Sequence, residues 1–249
     1  MTAGSSLPRP EQIDELTRGI ELPLTALHEE HLALIADVIS LAWNELTLSQ
    51  ARTLATGSEA EINALLEARL SRLLDEDPLW AQLVRSVARG KETVSFDGAH
   101  LEKRPDLSIF LAGRSPTIPL VVECKLIDAP DGKSCTLYCN SGLRRFLTGE
   151  YGWSGRDGFI LAYVRDQSTI ESCLVPFLSA GRTAKPDPFA VRDWPVEGRH
   201  AVHDLAATRH DRSFRYPNRV TPADAPGPIA IWHLWLPVRI GDISAMSTN

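Results

Sequence analysis

Arg104-Pro105-Asp106-Leu107-Ser108-Ile109-Phe110, followed nine residues later by Leu120-Val121-Val122-Glu123-Cys124-Lys125, is the stretch on which the reading of this chain turns. Side chains of a strand alternate between faces, so Glu123 and Lys125 project together. Leu120 and Val122 share the opposite face with Cys124 and bury it. An acid and a base therefore stand together on an otherwise apolar strand. Asp106 opens the preceding candidate strand, Leu107–Leu111. If the two strands pair through the loop at Ala112–Thr117, Asp106 comes beside Glu123.

Phosphodiester hydrolysis needs a cation to offset charge building on the phosphate and to acidify a water. Mg²⁺ prefers oxygen ligands and takes one or two carboxylates from protein. Asp106, Glu123 and the backbone carbonyl of Cys124 form such a half-site for Mg²⁺, with Mn²⁺ as a substitute. Lys125 beside them can orient a water and stabilise developing charge. The same residues also fit a plainer arrangement, a surface ion pair of Glu123 with Lys125 and an Asp106 that ends a turn.

This pattern resembles the PD-(D/E)XK nuclease superfamily, with Pro105-Asp106 as its first motif and Glu123-Cys124-Lys125 as its second. The resemblance spans roughly Glu59–Val164 and its motifs are short. It implies an α/β (α+β), restriction-endonuclease-like fold, a mixed central sheet flanked by helices, preceded here by a helical N-terminal lobe. It also implies a Mg²⁺-dependent endonuclease with DNA favoured, and a further acid from a helix before the core. Glu61 is the first choice for that acid and Glu59 the second, although both also suit the first turn of a helix. The helix after Lys125 often carries a supporting residue in this superfamily, a role Tyr138 or Arg145 would match; packing on the sheet is the alternative for both. An Arg- and His-bearing segment before an apolar strand ending in His233-Leu234-Trp235-Leu236 is similar to segments of prokaryotic antiviral defence nucleases.

Outward from this centre, apolar periodicity lays out the rest. Leu24–Leu46 carries Leu24, Leu27, His31, Leu34, Ile35, Val38 and Leu41 at helical spacing. Ser58 reads as the N-cap of a helix over Glu59–Leu74. Asp77-Pro78 starts a further helix ending near Gly90. Helices are also expected at Glu11–Gly19, Tyr138–Leu147 and Ser168–Ala180. Strands are expected at Glu92–Phe96, Leu107–Leu111, Leu120–Leu126, Gly158–Val164, Ala201–Thr208 and Ile229–Val238, and a loop at Gly181–Pro195. The expected division is a helical lobe over residues 1–57 and a nuclease-like core over 58–249. Tyr151 and Trp153 suit either base stacking or core packing. His210 and Arg212 lie in a polar, cationic stretch and are candidates for phosphate contact, whereas His233, inside an apolar strand, reads as a core histidine.

The chain has 249 residues, 43% of them hydrophobic and 23% charged, with a net charge of −6. That balance excludes a passive nucleic-acid coat protein but permits a local basic stripe. The acidity is concentrated before Arg89, so that part could dock an ATPase or helicase partner or a second copy of the chain. No apolar run has the length expected of a membrane span, and the opening residues Met1–Leu16 lack the pattern of a secretory signal, from which a cytoplasmic protein is expected. Cys124, Cys135, Cys139 and Cys173 lack zinc-finger spacing and read as reduced thiols. His28-Glu29-Glu30-His31 has its histidines three apart, not the four a zincin helix needs. No phosphate-binding loop, dinucleotide fingerprint or nucleophile elbow is present. The competing expectation is a nuclease-like module that binds or assembles without catalysis.

Overall fold

The computed structural model of the chain describes residues 15, 17–93, 96, 104–197, 203–216 and 225–238. Of the expected helix Glu11–Gly19 only residues 15 and 17–19 are described, and of the expected strand Glu92–Phe96 only residues 92, 93 and 96. Helix α1 (Glu29–Ser49) buries Leu32, Ile35, Ile39, Trp43 and Leu46, at spacings of three and four that set one apolar face. The expected stripe shares Ile35 and Val38 with this face but not its phase, since His31 and Leu41 are exposed. The helix also begins at Glu29, not Leu24. Residues before it are held outside the helix, because Leu24 N donates to the Ser154 carbonyl (2.8 Å) and Leu27 N to the Asp157 carboxylate (2.8 Å).

After the short α2 (Ala51–Thr56), α3 (Glu59–Glu76) opens on a capping box. Ser58 Oγ accepts from Glu61 N at 3.3 Å, and the Glu61 carboxylate accepts from Ser58 N at 2.7 Å. Ile62, Leu66, Leu70 and Leu73 form its buried face. Asp77 caps α4 (Pro78–Leu83) through Leu79 N and Trp80 N. The helix expected to run on to Gly90 stops there. Val84–Arg89 is strand β1, recruited by antiparallel pairing with β2 (Leu107–Leu111).

β3 (Leu120–Ile127) follows, then α5 (Cys135–Tyr138), a π-helical turn (Cys139–Leu143) and α6 (Arg144–Leu147). β4 (Asp157–Val164) leads to a second π-helical turn (Ile170–Leu174) running into α7 (Val175–Thr183). β5 (Val191–Glu197), β6 (Asp204–His210) and β7 (Ile229–Pro237) follow. β5 begins inside the expected loop, because pairing with β6 supplies what local sequence does not.

The seven strands form one mixed sheet in the order β1-β2-β3-β4-β7-β6-β5. β3, β4 and β7 run parallel at its centre, and the flanking pairs are antiparallel. One face packs on α1, α3 and α4 through Val122, Cys124, Phe159, Leu161 and Leu234. The other packs on α5, α6 and α7 through Val121, Ile160, Ala162, Ile231 and Trp235. The protein is thus mixed α/β, a sheet between two helical layers. Residues on both sides of the expected division at 57/58 share one hydrophobic cluster, so that division does not separate two cores. α1 is the one helix among the described residues long and apolar enough to cross a membrane, yet half of that window is buried within the protein. Trp43 shows why: its ring stacks on Tyr163 (5.1 Å between centroids) and its Nε1 donates to the Pro237 carbonyl.

Gly149 ends the turn after α6 at φ +80°, a left-handed conformation that costs other residues. A Cβ there would lie 2.6 Å from Phe96 and 2.7 Å from Phe214. Gly149→Ala is expected to lower unfolding stability by about 2–4 kcal/mol from backbone strain and overpacking together. Denaturant unfolding checks this, and an unchanged midpoint would contradict it.

Candidate functional site

The pairing of β2 with β3 sets the site. Leu107 is opposite Val122, which puts Asp106 one step further along, beside Glu123. Asp106 Oδ2 accepts from Cys124 N at 2.8 Å, and its Oδ1 accepts from Asn63 Nδ2 at 2.9 Å. Asn63 in turn accepts from the buried Tyr163 hydroxyl at 2.8 Å. Both oxygens of Asp106 are therefore oriented by fixed donors.

Lys125 places its ammonium among four oxygens. Nζ lies 2.7 Å from Glu123 Oε1, 2.8 Å from the Cys124 carbonyl, 3.2 Å from Glu59 Oε1 and 3.8 Å from Asp106 Oδ2. The second Glu59 oxygen accepts from Leu126 N at 3.1 Å. Arg145 Nη1 donates to Glu123 Oε1 (3.1 Å) and to the Tyr151 hydroxyl (2.9 Å). Glu123 is fully buried, and its Oε2 has no hydrogen-bond partner among the described residues. Gly142 sits over the pair: a Cβ there would meet the stems of Lys125 and Glu123 at 3.6 and 3.7 Å. These are ordinary contact distances, so the π-helical turn packs directly on the two stems.

Three carboxylates face two cations, so one negative charge is unbalanced if all are ionised. Burial, reinforced by Asp106, pushes the Glu123 carboxyl up to about 8 despite Lys125 and Arg145. Burial works against the Lys125 ammonium too, but Glu123, Glu59 and Asp106 together hold its pKa above the ordinary lysine value. Among the described residues no three His, Cys, Asp or Glu side chains form a group that could hold a metal on their own. What the cluster offers is two carboxylates and a main-chain carbonyl, with an ammonium at their centre.

The expected residues divide sharply. Asp106, Glu123, Lys125, the Cys124 carbonyl and Arg145 are brought together. Glu61 is not: its carboxylate closes the capping box on Ser58, and Glu59 is the helix acid that reaches Lys125. Tyr138 is buried and cannot meet a nucleic acid; its hydroxyl lies 2.8 Å from His233 Nδ1. His210 is buried as well, so the phosphate role expected of it is not supported. Arg212 is half-buried and donates to the carbonyls of Gly227 (2.8 Å), Gly155 (3.0 Å) and Pro226, clamping loops. The four cysteines are free thiols.

Tyr138, His233, Thr208 and His210 form one buried chain whose proton placement follows from its end. His210 Nδ1 faces the Phe189 carbonyl (2.8 Å), an acceptor, so it carries the proton and Nε2 accepts from Thr208 (2.6 Å). Thr208 then accepts from His233 Nε2 (2.7 Å), and His233 Nδ1 accepts from Tyr138. Both imidazoles are neutral, and burial pushes His233 down to about 3. Asn63, Tyr163 and Thr208 are positions the sequence reading passed over. A polar Asn63 beside Ile62 on the buried face of α3 was the available signal.

Comparison with protein-family models, with curated proteins and with solved structures finds no match.

A base whose folded pKa is depressed gives stability that is lost as pH falls below its unfolded value, here from about 6.5 towards 3. Glu123, Asp157 and Asp204, with raised values, act in the opposite sense. The difference between wild type and His233→Gln isolates the histidine. On acidification from neutral pH, the wild type is expected to lose stability relative to that variant in denaturant titrations. Parallel profiles would contradict the assigned neutral state.

Proposed function

We propose that this chain is a metal-dependent nuclease of the PD-(D/E)XK type, hydrolysing phosphodiester bonds with DNA as the favoured substrate. The observation that carries the reading is the convergence of Asp106, Glu123 and Lys125 from two paired strands, with Glu59 supplied by the preceding helix. A mixed sheet between helical layers suits the restriction-endonuclease-like architecture this reading requires.

The donor set fits a hard divalent ion. Its atoms are oxygens, one buried carboxylate oxygen lacks a partner among the described residues, and with all three carboxylates ionised the cluster would carry one excess negative charge. Asp106, Glu123 and the Cys124 carbonyl would hold Mg²⁺ or Mn²⁺. When bound, such an ion supplies a water of lowered pKa and neutralises charge on the phosphate. Lys125 contributes a fixed ammonium that can hold the attacking water and stabilise the pentacovalent phosphate. Glu59 keeps that ammonium in place through Nζ, and Asn63 keeps Asp106 aimed. Arg145, about one-third exposed, can turn from Glu123 to a substrate phosphate.

Plasmid and single-stranded DNA are expected to be cut in magnesium and spared with chelator. Lys125→Ala and Asp106→Asn should each lower the rate by about 100–1000-fold, and Glu59→Gln by about 10–100-fold, as for a residue that orients another. Glu61→Gln should leave the rate unchanged. Cleavage that survives both Lys125→Ala and Asp106→Asn would remove the assignment, and loss in Glu61→Gln with full activity in Glu59→Gln would reverse the helix-acid assignment.

A further inference from the structure

Next to the acid–lysine cluster, on the same face of the sheet, lies a cavity of about 250 Å³. Val121 forms part of its lining, two residues before Glu123, so this part of the cavity lies roughly 7 Å along β3 from the cluster. Ser108 pairs with Val121 on the neighbouring strand, and Phe110, two residues on, faces the same way and lines the cavity as well. The loop after α6 closes another side with Glu150 and Trp153. Arg145 bridges the two places: its Nη1 is 3.1 Å from Glu123, and its Nε is 4.0 Å from the Glu150 carboxylate.

We propose that this cavity receives the nucleobase of the nucleotide whose phosphate faces Lys125 and Arg145, an assignment that rests on the nuclease reading above. Four features select that occupant. Phe110, Ile118 and Trp153 offer flat or apolar walls, and aromatic faces bind bases tolerantly of sequence. Glu150 and Glu92, the latter paired with Arg104, place carboxylates on the lining beside Lys91, whose ammonium lies 4.2 Å from the Phe110 ring centroid, and these carboxylates can accept from the N–H groups of a base edge. The volume falls below the ~300 Å³ at which pockets for drug-sized ligands begin, so it suits one ring system and not a whole nucleotide. Its distance from the cluster is that of a base from a nearby backbone phosphate. A base held there has left its stack, so the substrate is single-stranded or locally opened DNA.

The test compares binding of two short strands with equal phosphates, an oligothymidylate and a base-free sugar–phosphate oligomer, in chelator so that neither is cut. The intact chain is expected to bind the oligothymidylate about tenfold more tightly, the scale of one stacked base. Thr117 is exposed on the lining. Thr117→Phe should therefore fill the cavity, erase the difference and leave base-free binding unaltered. Equal affinity of the wild type for both strands, no binding of either, or a difference that persists in Thr117→Phe overturns the proposal. Cleavage in magnesium is read separately. Base-dependent binding without cleavage would remove the nuclease reading and keep the base site, whereas cleavage with base-independent binding would do the reverse.

Discussion

An ammonium buried among carboxylates that cannot all be neutralised governs this structure. Lys125 reaches Glu59 from α3, Asp106 from the approach to β2, and Glu123 on its own strand, so one side chain ties three separate elements. Removing one partner of a buried pair leaves an uncompensated charge, which is more costly than the pair's own net contribution. The arrangement is therefore a constraint on the fold and a reservoir of negative potential together. Glu123 shows this most directly, with one oxygen shared by two cations and the other unpartnered in a dry environment. A proton can relieve that imbalance, and so can a cation.

The surrounding scaffold keeps these groups from relaxing. β3 is flanked by β2 and β4, so Glu123 stands on an interior strand and cannot swing into solvent. On one side Asn63 and Tyr163 fix Asp106 from beneath α3. On the other the π-helical turn lies on the stems of Glu123 and Lys125, with Gly142 at the contact. Below that turn the Tyr138–His233–Thr208–His210 chain anchors the helix to β6 and β7 through hydrogen bonds with one consistent direction. Fully satisfied buried networks of this sort favour a single arrangement over neighbouring ones. The residues read as ligand contacts at Tyr138 and His210 belong to this support.

The centre of the site was legible because strand alternation is a rigid rule. Glu123 and Lys125 had to share a face, and a short loop between apolar strands had to bring Asp106 near them. Of the two acids expected on this helix, the second choice, Glu59, reaches Lys125, and the first, Glu61, closes the cap; Ser58-x-x-Glu61 is a capping-box pattern, which was the available signal. The phase of α1 was hard to read for another reason. Its flanking residues Leu24 and Leu27 are apolar but held in extended chain by Ser154 and Asp157, partners more than a hundred residues away. β1 and β5 exist through pairing with β2 and β6, so their own local propensity could not reveal them. Polar residues such as His210 and Arg212 look available on paper; only tertiary packing decides whether water reaches them.

The proposed cation site, with Lys125 at its edge, is built from these oxygens. Manganese diffused into crystals and located by its anomalous scattering tests it most directly. The account predicts a peak within ligand distance, about 2.0–2.2 Å, of Asp106, Glu123 and the Cys124 carbonyl, with the Lys125 ammonium moved away from that carbonyl. Full manganese occupancy elsewhere, with the Lys125 contacts to Glu123 and Cys124 unchanged, would contradict it.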